Sequence, residues 1–337
     1  MRGKRTALAL VAAVLFCLCA AAVAAPQKEG TAAVTWQRDK VPVFIDCDPG
    51  IDDTFALALA KKSPALQVLG IGAVQGNVGL GRTGANALSI ASYIGLECPV
   101  ALGATYPLQG VPMGAAYAHG SDGMGGVALP TPDRTFDRRP AWKLLYDTAK
   151  ACDGQLQVIA IGPLTNIAKA LELYPDLKDM LAGITVMGGS PTGLGNMTPS
   201  AEFNAFNDPW AMEAVLESGV DITVIGYDVT SQAVVQGDEL EAMIGDSRIP
   251  LLLNGMRRTF VGEESDSKIL NDVLAVMALT DPQVLMIEQG SLRCLTGRAD
   301  RGTTVLTDDG SPVRYAVGLD REKMLDVLRR MCADYQK

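Results

Sequence analysis

Short apolar runs alternate with amphipathic segments along most of this chain of 337 residues. The first pair is an apolar run over 41–46 followed by a helical pattern over 52–62. The same succession predicts further strands over 66–74, 158–161, 184–187 and 222–225 and further helices over 81–94, 165–173 and 208–218. Continuous apolar strands joined by helices indicate an α/β fold with a mostly parallel sheet and helices on both faces. Ligands of such sheets bind at the carboxyl ends of the strands.

The composition and charge of the chain limit the kinds of molecule that it is expected to bind. The chain is 48% hydrophobic, which excludes an intrinsically disordered protein, and it carries a formal net charge of −9. An acidic chain repels phosphate backbones and anionic lipid at long range. We therefore expect a small-molecule ligand rather than nucleic acid or a membrane surface.

The N-terminus departs from this acidic balance. Arg2, Lys4 and Arg5 precede an apolar run over 7–19, and small residues follow over 20–25. This pattern predicts a secretory signal peptide over 1–24, cleaved after Ala24, and hence a periplasmic or secreted protein. The alternative is an uncleaved membrane anchor, but the run is shorter than the roughly 18 residues that span a bilayer comfortably. We expect no stable membrane insertion after cleavage, a short extension over 25–40 and a single domain over 41–337.

Five cysteines remain after the predicted cleavage, and none of them forms a C-x-x-C pair: Cys47, Cys98, Cys152, Cys294 and Cys332. This spacing indicates neither a zinc ribbon nor an obvious disulfide framework. We expect small buried hydrophobic side chains.

Four carboxylates lie within eight residues at the first strand-to-helix turn, namely Asp46, Asp48, Asp52 and Asp53. Their mutual repulsion is costly unless a cation compensates it. Oxygen-only ligands favour calcium or magnesium over zinc. The alternative is an acidic N-terminal helix cap, which explains Asp52 and Asp53 but not the two carboxylates at the strand end.

The run from Asp46 to Asp53 resembles the N-terminal signature of the inosine-uridine preferring nucleoside hydrolases. Further segments resemble the family in the same order, from about Val41 to the C-terminal helix. They are 75–79 with Arg82 and Asn86, 119–125, 161–168, 187–189, 195–199, 201–204 with Asp208, 226–230 and 271–275. Each segment alone is weak, but their joint order makes the resemblance specific.

The resemblance implies a single-domain, Rossmann-like fold that hydrolyses the N-glycosidic bond of ribonucleosides to base and ribose. The implied metal is calcium, with Asp48, Asp53, the backbone carbonyl of Thr165 and Asp272 as ligands. Asp48 would act as the general base on a calcium-bound water, since the oxocarbenium-like transition state needs an activated nucleophile and nearby negative charge. The family also implies a homo-oligomer, either a dimer or a tetramer.

The resemblance also implies the residues that bind substrate. Asp52, Asn77, Glu202 and Asn204 would contact the ribose hydroxyls. Met187 and Asn196 would approach the other face of the sugar and its 5′ end, and Phe203 lies in the same matched segment as Glu202. For Asn196 the alternative is a loop residue that merely tolerates left-handed dihedral angles.

One position departs from the family pattern. Many members place a histidine before the C-terminal metal-binding aspartate, but this chain has Asn271 there, and asparagine is no general acid. His119, the only histidine, is the candidate replacement, provided that its pKa lies near neutrality.

Other candidates for activating the leaving base are stacking on Trp210 or Tyr227, or a lid over 257–261 with Phe260 at its tip. The alternative function is a secreted nucleoside- or ribose-binding protein with weak catalysis, which has lost the acid with the change to Asn271.

Overall fold

The computed structural model describes residues 35–260 and 267–337, with only the backbone of 257–260. The predicted signal peptide lies outside the described residues, as does most of the predicted extension. From residue 35 onward the described chain belongs to one compact unit.

Nine of the strands in the described ranges form one sheet. They are β1 Val41–Cys47, β2 Leu66–Ala73, β3 Val100–Leu102, β4 Leu156–Ala160, β5 Leu181–Met187, β6 Ile222–Ile225, β9 Leu285–Cys294, β10 Thr304–Leu306 and β11 Ser311–Leu319. Their order is β10-β9-β11-β6-β5-β4-β1-β2-β3. All neighbours from β11 to β3 pair in parallel, whereas β9 is antiparallel to both β10 and β11. Strands β7 Val234–Gln236 and β8 Ser267–Ile269 form a separate antiparallel pair.

In the described chain one helix follows each of β1, β2 and β4, and two helices lie between β3 and β4. The bounds of the helices are α1 Ile51–Lys62, α2 Leu80–Ile94, α3 Ala116–His119, α4 Ala141–Lys150, α5 Thr165–Leu173, α6 Phe203–Asn207, α7 Pro209–Leu216, α8 Tyr227–Thr230, α9 Gly237–Met243, α10 Arg248–Phe260, α11 Val273–Thr280 and α12 Arg321–Asp334. None of them is long and apolar enough to cross a membrane.

Both faces of the sheet are covered, as the alternation of side chains along β1 illustrates. Val43 and Ile45 point into a core formed with α1, α2, α11 and α12, whereas Phe44 points into a second core formed with α4, α5 and α7. Successive side chains of a strand face opposite sides, so a strand apolar at every position is buried on both faces. The predicted fold class is confirmed, and the predicted elements match the observed ones to within three residues at each end.

The sequence pattern did not predict several elements of the fold. They are the short strand β3, the helices α3, α4 and α6, the β7–β8 pair, the antiparallel extension β9–β11 and the helices that follow β6, apart from the C-terminal helix. The five cysteines named above are buried, as predicted, and all of them are free thiols.

The strand order places the candidate site. After β3 the chain returns to the other side of β1 and continues as β4, so the crossovers diverge between β1 and β4. Such a reversal opens a crevice at the carboxyl ends of the strands, where open α/β sheets bind ligands. The acidic run that starts with Asp46 lies at this end of β1, and Thr165 follows β4.

Candidate active site

A cavity of about 510 Å³ opens at this edge of the sheet. Most of the residues that the sequence predicted for the site line it, namely Asp48, Asp52, Asn77, His119, Met187, Asn196, Glu202, Phe203, Asn204, Asn271 and Asp272. Asp53 and Thr165 are buried and are not among the lining residues. One cavity therefore gathers residues from segments that are more than 200 positions apart in the chain.

Asp48 is fixed directly after β1. Its Oδ2 accepts the backbone N–H of Asn77 at 2.7 Å. A Cβ atom at Gly76 would lie 1.9 Å from Oδ2, and one at Gly162 would lie 2.7 Å from Oδ1, so neither position has room for a side chain. Two glycines from the loops after β2 and β4 therefore leave the space that the Asp48 carboxylate occupies.

Asp53 holds the turn between β1 and α1 together. Its carboxylate accepts the backbone N–H groups of Asp48 at 3.2 Å and Gly50 at 2.8 Å, and the side-chain amide of Asn77 at 3.3 Å. A carboxylate in the first turn of a helix also lies at the positive end of the helix dipole. The cap interpretation of this residue is thus correct, and it does not exclude a role as a ligand.

Three buried carboxylates can share one cation. Asp52, Asp53 and Asp272 each offer an oxygen within 4.8 Å of the others. Burial and the neighbouring negative charges raise the pKa values of Asp53 and Asp272 above their usual range. A bound cation would remove that electrostatic cost, and an all-oxygen donor set fits a hard divalent ion. The residues present therefore fit a metal.

The cluster overlaps with the predicted ligand set but is not identical to it. Asp53 and Asp272 belong to both sets, and Asp52 occupies the third place. Asp48 is close enough for its charge to raise the pKa of Asp272. Thr165 is buried at the start of α5, where its hydroxyl donates to Asp208 at 2.7 Å. The roles of Asp48 and of the Thr165 carbonyl as ligands stay predictions.

Asp46 is separated from the other three carboxylates of its run. It lies on the Phe44 face of β1, where its Oδ1 accepts the side-chain amide of Asn166 at 2.8 Å. Its Oδ2 is buried without a hydrogen-bond partner in the described chain, and burial raises the pKa of Asp46 to about 8. Asp46 is therefore a buried acid outside the cavity lining. The four carboxylates are neighbours in sequence, but they do not form one cluster in the structure.

Glu202 and Asn204 form the wall on the β5 side. Glu202 caps α6 and accepts the backbone N–H groups of Asn204 at 2.9 Å, Ala205 at 3.1 Å and Gly189 at 2.9 Å. Burial raises the pKa of Glu202 to about 7, although these hydrogen bonds lower it. The Asn204 amide donates to the backbone carbonyls of Ile161 and Met187, at 3.0 and 3.1 Å, which fixes its orientation.

Asn271 is oriented by hydrogen bonds at both ends of its amide. Its Nδ2 donates to Oδ2 of Asp52 at 3.0 Å, and its Oδ1 accepts the hydroxyl of Thr230 at 3.0 Å. Asn271 therefore supports one carboxylate of the cluster that fits a metal.

His119 is held as a neutral imidazole. Its Nδ1 accepts the backbone N–H of Ile51 at 3.1 Å, which places the ring proton on Nε2, and Oδ1 of Asp52 lies 3.7 Å from Nδ1. Burial lowers the pKa of His119 to about 4. The near-neutral pKa expected from the sequence is not found, so at pH 7 His119 can donate a hydrogen bond but is not an imidazolium.

Only one of the two aromatic residues predicted as stacking partners of the base lines the cavity. Tyr227 lines the cavity, whereas Trp210 packs with its ring centre 5.0 Å from the guanidinium carbon of Arg301. The predicted lid over 257–261 lies outside the described part of the chain, apart from the backbone of 257–260.

Tyr117 and Lys268 also line the cavity, although neither was predicted from the sequence. Their one available signal is proximity to matched segments, because Tyr117 precedes His119 by two residues and Lys268 precedes Asn271 by three.

The chain resembles known proteins over most of its length. The profile of the inosine-uridine preferring nucleoside hydrolases matches residues 43–326. The non-specific ribonucleoside hydrolase RihC of Escherichia coli strain SMS-3-5 is 35% identical over 286 residues, covering 83% of this chain and 94% of RihC.

Solved structures resemble the fold over a similar length. A plant nucleoside hydrolase, PpNRh1, superposes with a TM-score of 0.82 at 30% identity, covering 86% of this chain and 98% of its own. A purine-preferring ribonucleoside hydrolase from Gardnerella vaginalis also has a TM-score of 0.82, at 28% identity, covering 88% and 99%. The family profile spans well over half of the chain, and the chain therefore belongs to the inosine-uridine preferring nucleoside hydrolase family.

Proposed function

We propose that this protein hydrolyses the N-glycosidic bond of ribonucleosides to release the base and ribose. The observation that carries the proposal is the meeting, in one cavity, of Asp48, the carboxylates of Asp52 and Asp272, and the Glu202–Asn204 wall. Cleavage of this bond develops positive charge on the sugar, and fixed carboxylates around the sugar stabilise that charge.

Ribose would bind between the two groups of acids. Asp52, Asn77, Glu202 and Asn204 present carboxylate and amide groups that match sugar hydroxyls, while Met187, Asn196 and Phe203 would enclose its remaining surface. Backbone hydrogen bonds already hold the Glu202 carboxylate and the Asn204 amide in place, so little ordering is left to occur on binding.

Asp48 would remove the proton from the water that attacks C1′. Its carboxylate lines the cavity in an orientation fixed by the Asn77 N–H and by the two glycines. A positioned carboxylate within reach of the water is the geometry that general-base catalysis requires.

We further propose that Asp53 and Asp272 hold a calcium ion, together with Asp48 and the Thr165 carbonyl. The oxygen-only donor set and the raised pKa values of the buried acids support this assignment. Asp52, which lies in the same cluster, is positioned to share the ion or the ribose hydroxyls. When bound, a divalent cation lowers the pKa of water and orients it.

The leaving base needs its own stabilisation. The Nε2–H of neutral His119 can donate a hydrogen bond to the base. One of the Asn271 amide protons is already donated to Asp52. Asn271 is also the observation that favours the second candidate function, a nucleoside-binding protein with slow turnover.

Ribose release from inosine, adenosine, guanosine, uridine and cytidine tests the proposal, with calcium and after chelation. Calcium-dependent release is the expected result. Nucleoside binding measured by calorimetry without any release would favour the binding protein instead.

We also propose that the protein is exported, binds no nucleic acid and assembles into a dimer or tetramer. The N-terminal sequence pattern supports export, the net charge of −9 supports a small-molecule partner, and family membership supports a homo-oligomer.

A further inference from the structure

Lys268 lines the cavity and joins the small β7–β8 sheet to α3. It lies in the middle of β8, opposite Val235 of β7, and its half-buried side chain lines the cavity. Its Nζ donates to the backbone carbonyl of Ala118 at 3.2 Å. The side chain therefore reaches from the small β7–β8 sheet to α3, the helix that carries His119.

Lys268 brings a positive charge to an otherwise acidic cavity lining. Among the described residues that line it, Lys268 is the only lysine or arginine, whereas Asp48, Asp52, Glu202 and Asp272 are all acids. This cationic side chain also contacts the helix that carries His119, the residue proposed to face the base.

The two ends of a nucleoside would meet different surroundings. The ribose hydroxyls fit the acids at the strand ends, which leaves the base for the other polar lining residues. These include Tyr117 and His119 of α3 and Lys268, whose Nζ reaches Ala118 of the same helix. His119 accepts the Ile51 N–H at Nδ1 and is therefore not an imidazolium, and the Asn271 amide is uncharged. Among the described lining residues, Lys268 is the side chain that brings a positive charge to this part of the cavity.

We propose that Lys268 is a catalytic residue that stabilises the base as it leaves. This inference rests on the hydrolase activity proposed above. The C1′–N bond breaks with its electron pair passing to the base, while the oxygen of water bonds to C1′ and Asp48 takes up the proton. The ammonium group of Lys268 donates a hydrogen bond to the departing base and balances its developing negative charge. The base takes its proton from solvent as it is released, and Asp48 returns its proton to solvent.

A pair of substrates separates this role from a structural one. Inosine needs stabilisation of its leaving group, whereas the nitrophenolate of 4-nitrophenyl β-D-ribofuranoside leaves unaided. In Lys268→Met we expect kcat/KM for inosine to fall about 10²-fold, the effect of removing one charge-stabilising donor. For the nitrophenyl riboside we expect a fall of about threefold or less, because leaving-group assistance is the only contribution lost. Lys268→Arg, which keeps the charge, is expected to recover most of the inosine activity.

The matched control is Lys178→Met, which removes an exposed lysine outside the cavity and should leave both substrates unaffected. Circular dichroism and thermal melting of each variant establish that it is folded, and Lys268→Gln replaces Lys268→Met if that variant is not. Equal losses on both substrates, or no loss on inosine, would overturn the inference while leaving the hydrolase activity intact. A wild-type protein that cleaves neither substrate would overturn the proposed function itself, and the inference with it.

Discussion

The side-chain amide of Asn271 donates to the carboxylate of Asp52 across 3.0 Å, and the hydroxyl of Thr230 holds the other end of the same amide at 3.0 Å. Asn271 and Asp52 are 219 positions apart in sequence. The hydrogen bond links the segment before α11 to the first turn of α1, the two places from which the buried acids of the cluster come.

Asn271→Ala is expected to destabilise the fold by about 1–3 kcal/mol, because it leaves the buried Asp52 carboxylate and the Thr230 hydroxyl without this partner. Urea denaturation measures the change. Asn196→Ala is the matched control in the same cavity, since the hydrogen bond of Asn196 to Ala201 is made by its backbone, and its effect should stay within about 0.5 kcal/mol. Equal stabilities of the two variants would contradict the structural role of Asn271.

With calcium in excess, since Asp48 is also a proposed ligand, Asp48→Asn is expected to lower kcat by about 10²–10⁴-fold and to keep nucleoside binding. The amide retains an acceptor for the Asn77 N–H but is not a base. Ribose release and calorimetric titration measure the two effects. Asp46→Asn is the matched control, because the raised pKa of Asp46 indicates a protonated acid that asparagine resembles in shape. Turnover by Asp48→Asn at the wild-type rate would contradict its role as the base.

Removal of the metal is expected to lower both turnover and melting temperature, and added calcium should restore them. An ion that binds only the folded state stabilises it by about 2.7 kcal/mol at 100 times its Kd. Differential scanning calorimetry with and without a chelator measures the shift. Asp272→Asn, which removes one acid of the cluster, should weaken the response to calcium. A wild-type protein that is indifferent to chelation would refute the metal site.

Glu202 makes the activity and the stability depend on pH in opposite directions. The carboxylate form accepts the three backbone N–H groups, so kcat/KM should rise as the pH passes through about 7, the raised pKa of Glu202. The folded-state pKa exceeds the usual value of 4.5, so the contribution of Glu202 to stability is complete below about 4.5 and is lost as the pH rises to about 7.

Rate and denaturation profiles between pH 5 and 8 measure both effects of Glu202. In Glu202→Gln, whose remaining activity should be low, the rise of kcat/KM near pH 7 is expected to disappear. Its persistence would assign the titration to another group.

Export predicts a mature chain that begins at Ala25. Mass spectrometry of the protein from the periplasm or culture medium of a bacterial host identifies the first residue. Ala22→Arg, which replaces one of the two small residues required before the cleavage site, should block processing. An intact N-terminus in cytoplasmic protein would contradict the proposal.

The local pattern predicts the parallel core of this fold well because apolar periodicity reports burial directly. The runs that become β1 and α1 are recognisable within a few residues of their final bounds. The same logic fails for β9, where Met286 and Ile287 are exposed apolar residues and Glu288 and Gln289 follow on an exposed stretch of strand. That strand is defined by its pairing with β11, which a local pattern does not encode.

The candidate site was predictable to a similar extent and for a related reason. The family resemblance brought distant segments together, and the cavity gathers most of the named side chains. The separation of Asp46 from Asp48 depends on which way each side chain turns at the end of β1. The lowered pKa of His119 depends on burial, and the place of Lys268 depends on a small antiparallel pair, so neither has a signature in the neighbouring sequence.

The buried cysteines give the folded state a chemical reporter. All five thiols in the described part of the chain are shielded, and burial raises the pKa values of Cys47, Cys98, Cys152, Cys294 and Cys332. A thiol-reactive dye attacks the exposed thiolate, so native mature protein should label slowly and unfolded protein at once. Labelling kinetics would therefore record how often each part of the two cores opens, without the introduction of any foreign probe site.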